Sequence, residues 1–241
     1  MTYMHRAIKR AGRYIVDHSI VPIIRYTIAQ TYPAIRNPLY DMAKRRAIES
    51  SLEYVQTNMP SAPMFANRLN LWDCALNKIS VSGLCIEFGV WEGESINYFA
   101  SKLHTVYGFD SFEGLKEDWQ GREYRKGTFN RGGILPKVAK NVHLVKGWFD
   151  NTVPEFLAEH PEPFAFVHID CDTFETTTLL LELIGPKLVV GTVIVFDEYF
   201  GYRGWEVGEY KAWSNYVLRA NVNYEYLGFA SQQVAIRLTL T

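Results

Sequence analysis

Three acidic residues follow two apolar runs that have the composition of buried strands. Asp170 ends the run 164–170, Asp197 ends the run 192–197, and Glu198 comes next. If the two runs are neighbouring strands, their ends lie about 4.8 Å apart and the carboxylates converge. Carboxylates this close repel each other unless a cation binds between them or one of them pairs with Arg or Lys. Because hard cations prefer all-oxygen ligands, we predict a site for Mg²⁺, with Mn²⁺ or Ca²⁺ as alternatives.

A glycine turn follows the first apolar run, 84–89. Gly89 permits a tight turn and close approach of a ligand to the backbone, and residues from Gly93 to Ser95 open the next helix. The turn lacks the G-x-G-x-x-G pattern of nicotinamide cofactor sites, and bulky Trp91 stands where a pyrophosphate would need open backbone. The turn therefore favours a nucleoside ligand without a pyrophosphate.

Asp110 closes the next predicted strand, 106–110, and can accept hydrogen bonds from ribose hydroxyls. The alternative role for Asp110 is to cap a helix or a turn. The polar segment 114–133 comes next and contains five glycines. Long loops in compact domains often cover active sites, so we expect a lid that touches a second ligand, with an ordinary surface loop as the alternative.

Two further groups near Asp170 have structural interpretations. The segment from Asp172 to Glu175 has the form of a capping box at the start of a helix, so we assign both acids to structure. His168 lies two residues before Asp170 and hence on the same face of the strand. A supporting or packing role for His168 is favoured over direct chemistry.

The elements that must position these residues alternate between strand and helix from Gly83 onward. Buried strands alternating with helices predict an α/β fold with a doubly wound, mostly parallel sheet and helices on both faces. The predicted strands are 84–89, 106–110, 142–145, 164–170, 192–197, 224–228 and 233–238, and the predicted helices are 64–80, 94–103, 154–159, 173–184 and 206–219.

Composition predicts one catalytic domain, residues 61–241, after a helical extension, residues 1–60. The chain has 241 residues with a net charge of −1, which gives no general attraction to nucleic acid. Three cysteines without paired spacing suggest reduced, mostly buried thiols in a cytoplasmic protein. Residues 1–46 hold nine Lys or Arg and two Asp, so the extension could contact a membrane surface, or it could be solvated or form oligomers. Its apolar stretch, 14–32, is too interrupted to cross a bilayer.

Several segments between about residues 64 and 215 match one family pattern in combination. The chain resembles the macrocin O-methyltransferase family, which methylates sugars on macrolides and related natural products. The separation of 27 positions between Asp170 and Asp197 equals that between the first two metal ligands of the family. The matching segments are Arg68-Leu69, EFGVWEGES (87–95), YGFDSFEGL (107–115), KGWFDNTVPEFL (146–157), HIDCDTFETT (168–177) and VIVFDEY (193–199).

This resemblance implies the Rossmann-like class I methyltransferase fold with a seven-stranded sheet. It also implies S-adenosylmethionine (SAM) as methyl donor and Mg²⁺ at Asp170, Asp197 and the next acid. That acid is Glu198 here, where the family usually has Asp. The implied SAM contacts are Glu87, Gly89, Gly93, Ser95, Asp110 and Ser111, with Gly147 and Trp148 near the adenine.

The sequence therefore predicts a SAM- and metal-dependent O-methyltransferase that acts on a hydroxyl of a sugar or glycosylated small molecule, with Asp170 receiving the hydroxyl proton. A catechol-like or amino acceptor, a nicotinamide-dependent oxidoreductase and a non-catalytic binding or scaffold module are the alternatives. The predicted partners are a small-molecule or saccharide acceptor and further copies of the chain as a homo-oligomer, without nucleic acid.

Overall fold

The structure is a computed structural model that describes residues 37–240. Backbone contacts divide the chain after residue 45, and the description below concerns residues 46–241 together with the helix that begins at Pro38. The predicted division at residue 60 stays a prediction. Most of the basic extension, residues 1–36, lies outside the described residues, and so does the proposed membrane contact there.

Seven strands form one sheet in the order β3-β2-β1-β4-β5-β7-β6. The first five strands pair in parallel, and β7 runs antiparallel to both β5 and β6. This is the predicted doubly wound sheet, and the predicted fold class is confirmed. The strands are β1 Leu84–Phe88, β2 Val106–Asp110, β3 Val142–Lys146, β4 Phe164–Ile169, β5 Val193–Phe196, β6 Asn223–Ala230 and β7 Gln233–Thr239.

Six α-helices accompany the sheet in the described part of the chain. Two of them differ most from the predicted bounds: α2 is shorter than 64–80, and α4 begins five residues earlier than predicted. Pro154 lies inside α4, five residues after its start, where it lacks the N–H that would normally bond the carbonyl four residues earlier. The helices are α1 Pro38–Asn58, α2 Arg68–Leu76, α3 Glu94–Ala100, α4 Phe149–Glu159, α5 Phe174–Ile184 and α6 Glu209–Ala220.

The central strands are buried on both faces, which is why their sequences are nearly continuous apolar runs. Every residue of β4 and of β5 is buried. Two clusters of buried side chains pack against the sheet, one containing Phe88, Phe196 and Trp213 and the other containing Trp72 and Phe99. These two layers fix the carboxyl ends of the strands as a rigid edge.

The cysteines form no disulfide, as predicted, but only Cys171 is buried, while Cys74 and Cys85 are half-buried. The prediction of mostly buried thiols was therefore wrong for two of the three. None of the helices within residues 37–240 combines the length and the apolar character needed to cross a membrane.

Candidate active site

A cavity of about 440 Å³ opens at the carboxyl ends of the parallel strands. After β1 the chain builds β2 and β3 on one side, and it then crosses to β4 on the other side. Such a reversal leaves a crevice beyond the strand ends, where ligands bind in open α/β sheets. The cavity lies at this switch point, and both the glycine turn after β1 and the acids after β4 and β5 line it.

The turn after β1 needs glycine at its first position. Gly89 has a φ of +93°, and a Cβ atom there would lie 1.6 Å from the carbonyl oxygen of Asp170. The amide of Asp170 also donates a hydrogen bond of 2.8 Å to the carbonyl of Phe88. The turn and the end of β4 are therefore packed backbone against backbone.

Asp110 holds the turns on both sides of the cavity. Its Oδ2 accepts hydrogen bonds from the amides of Val90 and Trp91, both at 2.8 Å, and its Oδ1 accepts one from the amide of Phe112 at 2.6 Å. The alternative role as a turn-capping residue is therefore present in the structure. Each carboxylate oxygen has a further lone pair, so the ribose contact stays a prediction.

Most of the predicted cofactor residues line the cavity, but two do not. Glu87 is fully buried behind the strand ends, and Gly93 forms the left-handed start of α3 with a φ of +83°. The amide of Gly147 bonds the carbonyl of Asp110 at 2.9 Å and brings the following tryptophan to the rim. The predicted cofactor residues that line the cavity are Gly89, Ser95, Asp110, Ser111, Gly147 and Trp148.

Four carboxylates meet at the floor of the cavity. Asp170, Asp172 and Glu198 each present an oxygen, and these oxygens all lie within 4.8 Å of one another. Glu198 Oε2 is buried and has no hydrogen-bond partner among the described residues. Asp197 lines the same cavity, but its Oδ1 accepts a hydrogen bond from Gln233 and lies 3.5 Å from His168 Nε2. The structure thus brings two of the three predicted metal residues, Asp170 and Glu198, together with Asp172, whereas Asp197 lines the cavity beside this group.

The shared negative charge and the burial of these groups change their acidity. Burial and the charge of Asp197 raise the pKa of Asp170 well above its usual range, and the same causes raise the pKa of Glu198. Burial, again with Asp197, raises the pKa of Asp172 to about 7. Burial alone would also raise the pKa of Asp197, but the hydrogen bond and charge of His168 bring it below its usual value. Asp197 is therefore the carboxylate of the group that ionises most readily.

The prediction of a capping box at Asp172 and Glu175 was wrong. Thr173 is the N-cap of α5, and its side chain accepts a hydrogen bond from the amide of Thr176. Asp172 instead has a φ of +68°, a conformation that few residues other than glycine adopt, and it lines the cavity. Because the helix cap lies one position later than predicted, the Asp172 carboxylate is not used for capping and is available to the site.

Glu209, at the start of α6, lies directly behind this cluster and was missed in the sequence. It is fully buried, and its Oε2 accepts a hydrogen bond of 3.1 Å from the amide of Glu198. Burial raises the pKa of Glu209 to about 8. Its sequence context, Gly-Glu-Tyr at a helix start, gives no sign of burial, because only the packing of α6 against the strand ends encloses it.

The segment predicted as a lid has neither helix nor strand and covers one side of the cavity. Trp119 is 5% exposed, and it lines the cavity together with Arg122 and Tyr124. The Arg122 guanidinium lies 4.8 Å from the centre of the Trp119 ring and 4.3 Å from that of Tyr202. Glu117 ties the segment to the start of α5 by accepting a hydrogen bond of 2.7 Å from the Thr176 hydroxyl.

The sheet order and the position of the cavity are those of the Rossmann-like fold found in class I methyltransferases. Residues 86–199 match the Methyltransf_24 family model, described as a methyltransferase domain. The crystal structure of CalS11, a calicheamicin methyltransferase, superposes with a TM-score of 0.59 at 23% identity, over 84% of this chain and 93% of that one. The similarity in structure confirms the predicted fold.

Two curated relatives are O-methyltransferases by name. The 8-demethyl-8-(2,3-dimethoxy-alpha-L-rhamnosyl)-tetracenomycin-C 4'-O-methyltransferase of Streptomyces olivaceus is 29% identical over 146 residues, 49% of this chain and 54% of its own length. The demethyldecarbamoylnovobiocin O-methyltransferase of Streptomyces niveus is 26% identical over 156 residues, 54% of this chain and 58% of its own. The chain thus spans a little over half the length of these relatives, and the predicted resemblance is confirmed.

Proposed function

We propose that the protein is a SAM-dependent O-methyltransferase that acts on a hydroxyl group of a sugar or glycosylated small molecule. The observation that carries the proposal is one cavity lined both by the glycine turn after β1 and by the carboxylates after β4 and β5. The turn suits a nucleoside cofactor, and the carboxylates suit a hydroxyl that must lose its proton. The names of the two relatives support an acceptor that carries a sugar.

The charge of the cavity supports the cofactor. SAM carries a positive sulfonium and a positive ammonium group, and both are stabilised by nearby anions. Gly89 and the turn held by Asp110 would face the nucleoside and the methionine chain, and Trp148 would lie beside the adenine. The exposed ring of Trp91, 47% accessible, would border the same ligand.

The carboxylates also fit the predicted divalent cation. Three convergent oxygens, from Asp170, Asp172 and Glu198, form the all-oxygen donor set that hard cations prefer, and the buried Glu198 Oε2 has no hydrogen-bond partner among residues 37–240. Asp170 and Glu198 would hold Mg²⁺, with Asp197 or Asp172 completing the set. The ion would orient the acceptor hydroxyl and favour its ionised form.

In the proposed reaction Asp170 accepts the proton of the acceptor hydroxyl. The hydroxyl oxygen forms a bond to the methyl carbon as the bond from that carbon to sulfur breaks, and neutral S-adenosylhomocysteine (SAH) leaves. Burial raises the pKa of Asp170, which makes its carboxylate a stronger base for the hydroxyl proton. The segment 114–133 would close over the acceptor and exclude water.

Calorimetric titration of SAM and SAH into the protein tests this function. We expect micromolar binding of both, a separate Mg²⁺ signal that EDTA removes, and loss of that signal in Asp170→Asn. Comparison of Asp172→Asn with Asp197→Asn then shows which carboxylate completes the cation site. Absence of SAM and SAH binding under every condition would overturn the proposed function.

Acceptor screening is the second arm of the test. Glycosides and nucleotide sugars are compared with catechols and amines, with transfer of a labelled methyl group as the readout. Label on a catechol or an amine alone would replace the proposed acceptor class while leaving the methyltransferase assignment intact. Homo-oligomer formation, cytoplasmic location and contact of the N-terminus with a membrane surface remain predictions.

A further inference from the structure

A row of buried polar side chains crosses the sheet behind the cavity. Glu87 on β1 and His168 on β4 are register neighbours, and both are fully buried. His168 Nδ1 lies 2.7 Å from Glu87 Oε1, a hydrogen-bond distance. On the other side of the ring, His168 Nε2 lies 3.5 Å from Asp197 Oδ1, the distance of an ion pair.

The His168 ring is enclosed by aromatic rings and carboxylates, and an oxygen of Asp170 also lies within 4.8 Å of one of its nitrogens. The rings of Trp72 and Phe99 pack edge-on against it, with centroids 5.8 and 5.0 Å away, and keep water out. Nε2 has no hydrogen-bond partner within residues 37–240, so Asp197 is the group it faces. Burying a polar ring costs folding free energy unless its nitrogens are hydrogen-bonded. The protein therefore keeps His168 in this position at a cost in stability.

Asp197 is the end of the row that reaches the cavity. Its side chain is 18% exposed, whereas those of Glu87 and His168 are not exposed at all. Gln233 donates a hydrogen bond to the same Oδ1 atom that faces His168. Both contacts therefore act on one oxygen of the Asp197 carboxylate. Together they set the direction in which its other oxygen points.

We propose that His168 is a positioning residue, anchored by Glu87, that fixes the Asp197 carboxylate at the acceptor end of the cavity. This inference rests on the proposed function, in which Asp197 serves the cation or the acceptor. His168 itself touches neither ligand. Its contribution is to keep Asp197 within the narrow range of positions that productive binding needs, since an error of about 1 Å can cost on the order of 100-fold in rate.

Two substitutions distinguish the contributions of the two ring nitrogens of His168. In His168→Asn the amide nitrogen takes the place of Nδ1 and keeps the contact with Glu87, but nothing reaches Asp197. In His168→Gln the longer side chain places its amide nitrogen near the Nε2 position and keeps the contact with Asp197. Because both replacements are polar and smaller than histidine, general damage to packing would affect them alike.

Crystal structures of both variants, with and without SAH, give the direct test. We expect Asp197 in its original position in His168→Gln and displaced in His168→Asn. Mn²⁺ affinity, followed by electron paramagnetic resonance, should fall roughly 10- to 100-fold in His168→Asn, the usual effect of losing a residue that orients a ligand, and stay near the original value in His168→Gln. SAH affinity should be unchanged in both. His160, which bonds the Phe156 carbonyl far from this row, provides matched control variants.

The possible outcomes test the positioning role of His168 and the proposed function separately. An undisplaced Asp197 in His168→Asn, or equal displacement in both variants, would overturn the positioning role. If His168→Asn does not fold, His168→Gln decides alone: a retained Asp197 contact supports the role and a lost one rejects it. A protein that binds no SAH overturns the proposed function instead, and the position of Asp197 in the ligand-free crystals still tests His168.

Discussion

Gly89 and Asp170 are in direct backbone contact, so that the turn expected to hold the cofactor and the residue expected to accept the proton are one packed unit. A Cβ atom on residue 89 would lie 1.6 Å from the Asp170 carbonyl oxygen. The two residues are 81 positions apart in the chain, and only the pairing of β1 with β4 brings them together. Any side chain at residue 89 must therefore move the end of β4.

Gly89→Ala should both destabilise the protein and abolish SAH binding. The positive φ costs a non-glycine residue about 1–2 kcal/mol, and the backbone clash adds to this. Gly132 is the matched control, since its φ is +64° but a Cβ there would meet nothing within 4 Å. Urea unfolding and SAH titration of both variants measure the difference, and an equal loss in the two would show that the contact with Asp170 is unimportant.

Asp110→Asn should loosen the turns on both sides of the cavity. One amide oxygen must replace two carboxylate oxygens, and the new NH₂ group faces backbone donors. Hydrogen bonds to a charged group contribute about 1.5–3 kcal/mol, so a loss of unfolding free energy in that range is expected, with weaker SAH binding. Asp118, which accepts from the Lys126 amide on the exposed surface, is the control and should change little.

Asp110→Asn also tests the predicted contact between Asp110 and the ribose of the cofactor. The original protein should prefer adenosine over 2′-deoxyadenosine as a competitor of SAH, and Asp110→Asn should lose most of that preference. If the preference persists, another residue binds the ribose and Asp110 serves the turns alone.

Glu209→Gln should change how stability depends on pH. Burial raises the pKa of Glu209 to about 8, above its value in the unfolded chain, so folding favours the protonated form. Its contribution to stability is complete below about pH 4.5 and is lost as the pH rises toward 8. Glutamine mimics the protonated acid and can still accept from the Glu198 amide, so the variant should match the original protein at pH 4.5 and exceed it at pH 8.5. Urea unfolding in EDTA measures this, and parallel pH curves would refute it.

Glu117→Ala should release the segment 114–133 from α5. The substitution removes the acceptor for the hydroxyls of Thr173 and Thr176, while the turn after β1 is left intact. Trypsin should then cut faster at Arg125 and Lys126, with SAH affinity unchanged. Exposed Glu123 offers the control substitution, and equal cleavage rates in the two variants would mean that Glu117 does not hold the segment.

The fold class could be predicted from the sequence alone, and so could nine of the residues that line the cavity. Short continuous apolar runs such as 164–169 and 193–196 indicate strands covered on both faces, and their alternation with helices permits few topologies. Ligands bind beyond the carboxyl ends of parallel strands. The site residues Gly89, Asp110, Asp170 and Asp197 could therefore be predicted from their positions after the apolar runs.

The division of roles among the acidic residues became visible only in the folded protein. Asp172 looked like part of a helix cap, but Thr173 took that position and left Asp172 in the cavity with a left-handed backbone. Glu87 matched a cofactor contact in the sequence, yet it lies beneath the surface and bonds His168. Such assignments depend on cap geometry and on which side chain is enclosed. These are properties of packing between distant segments, and no local pattern of residues encodes them.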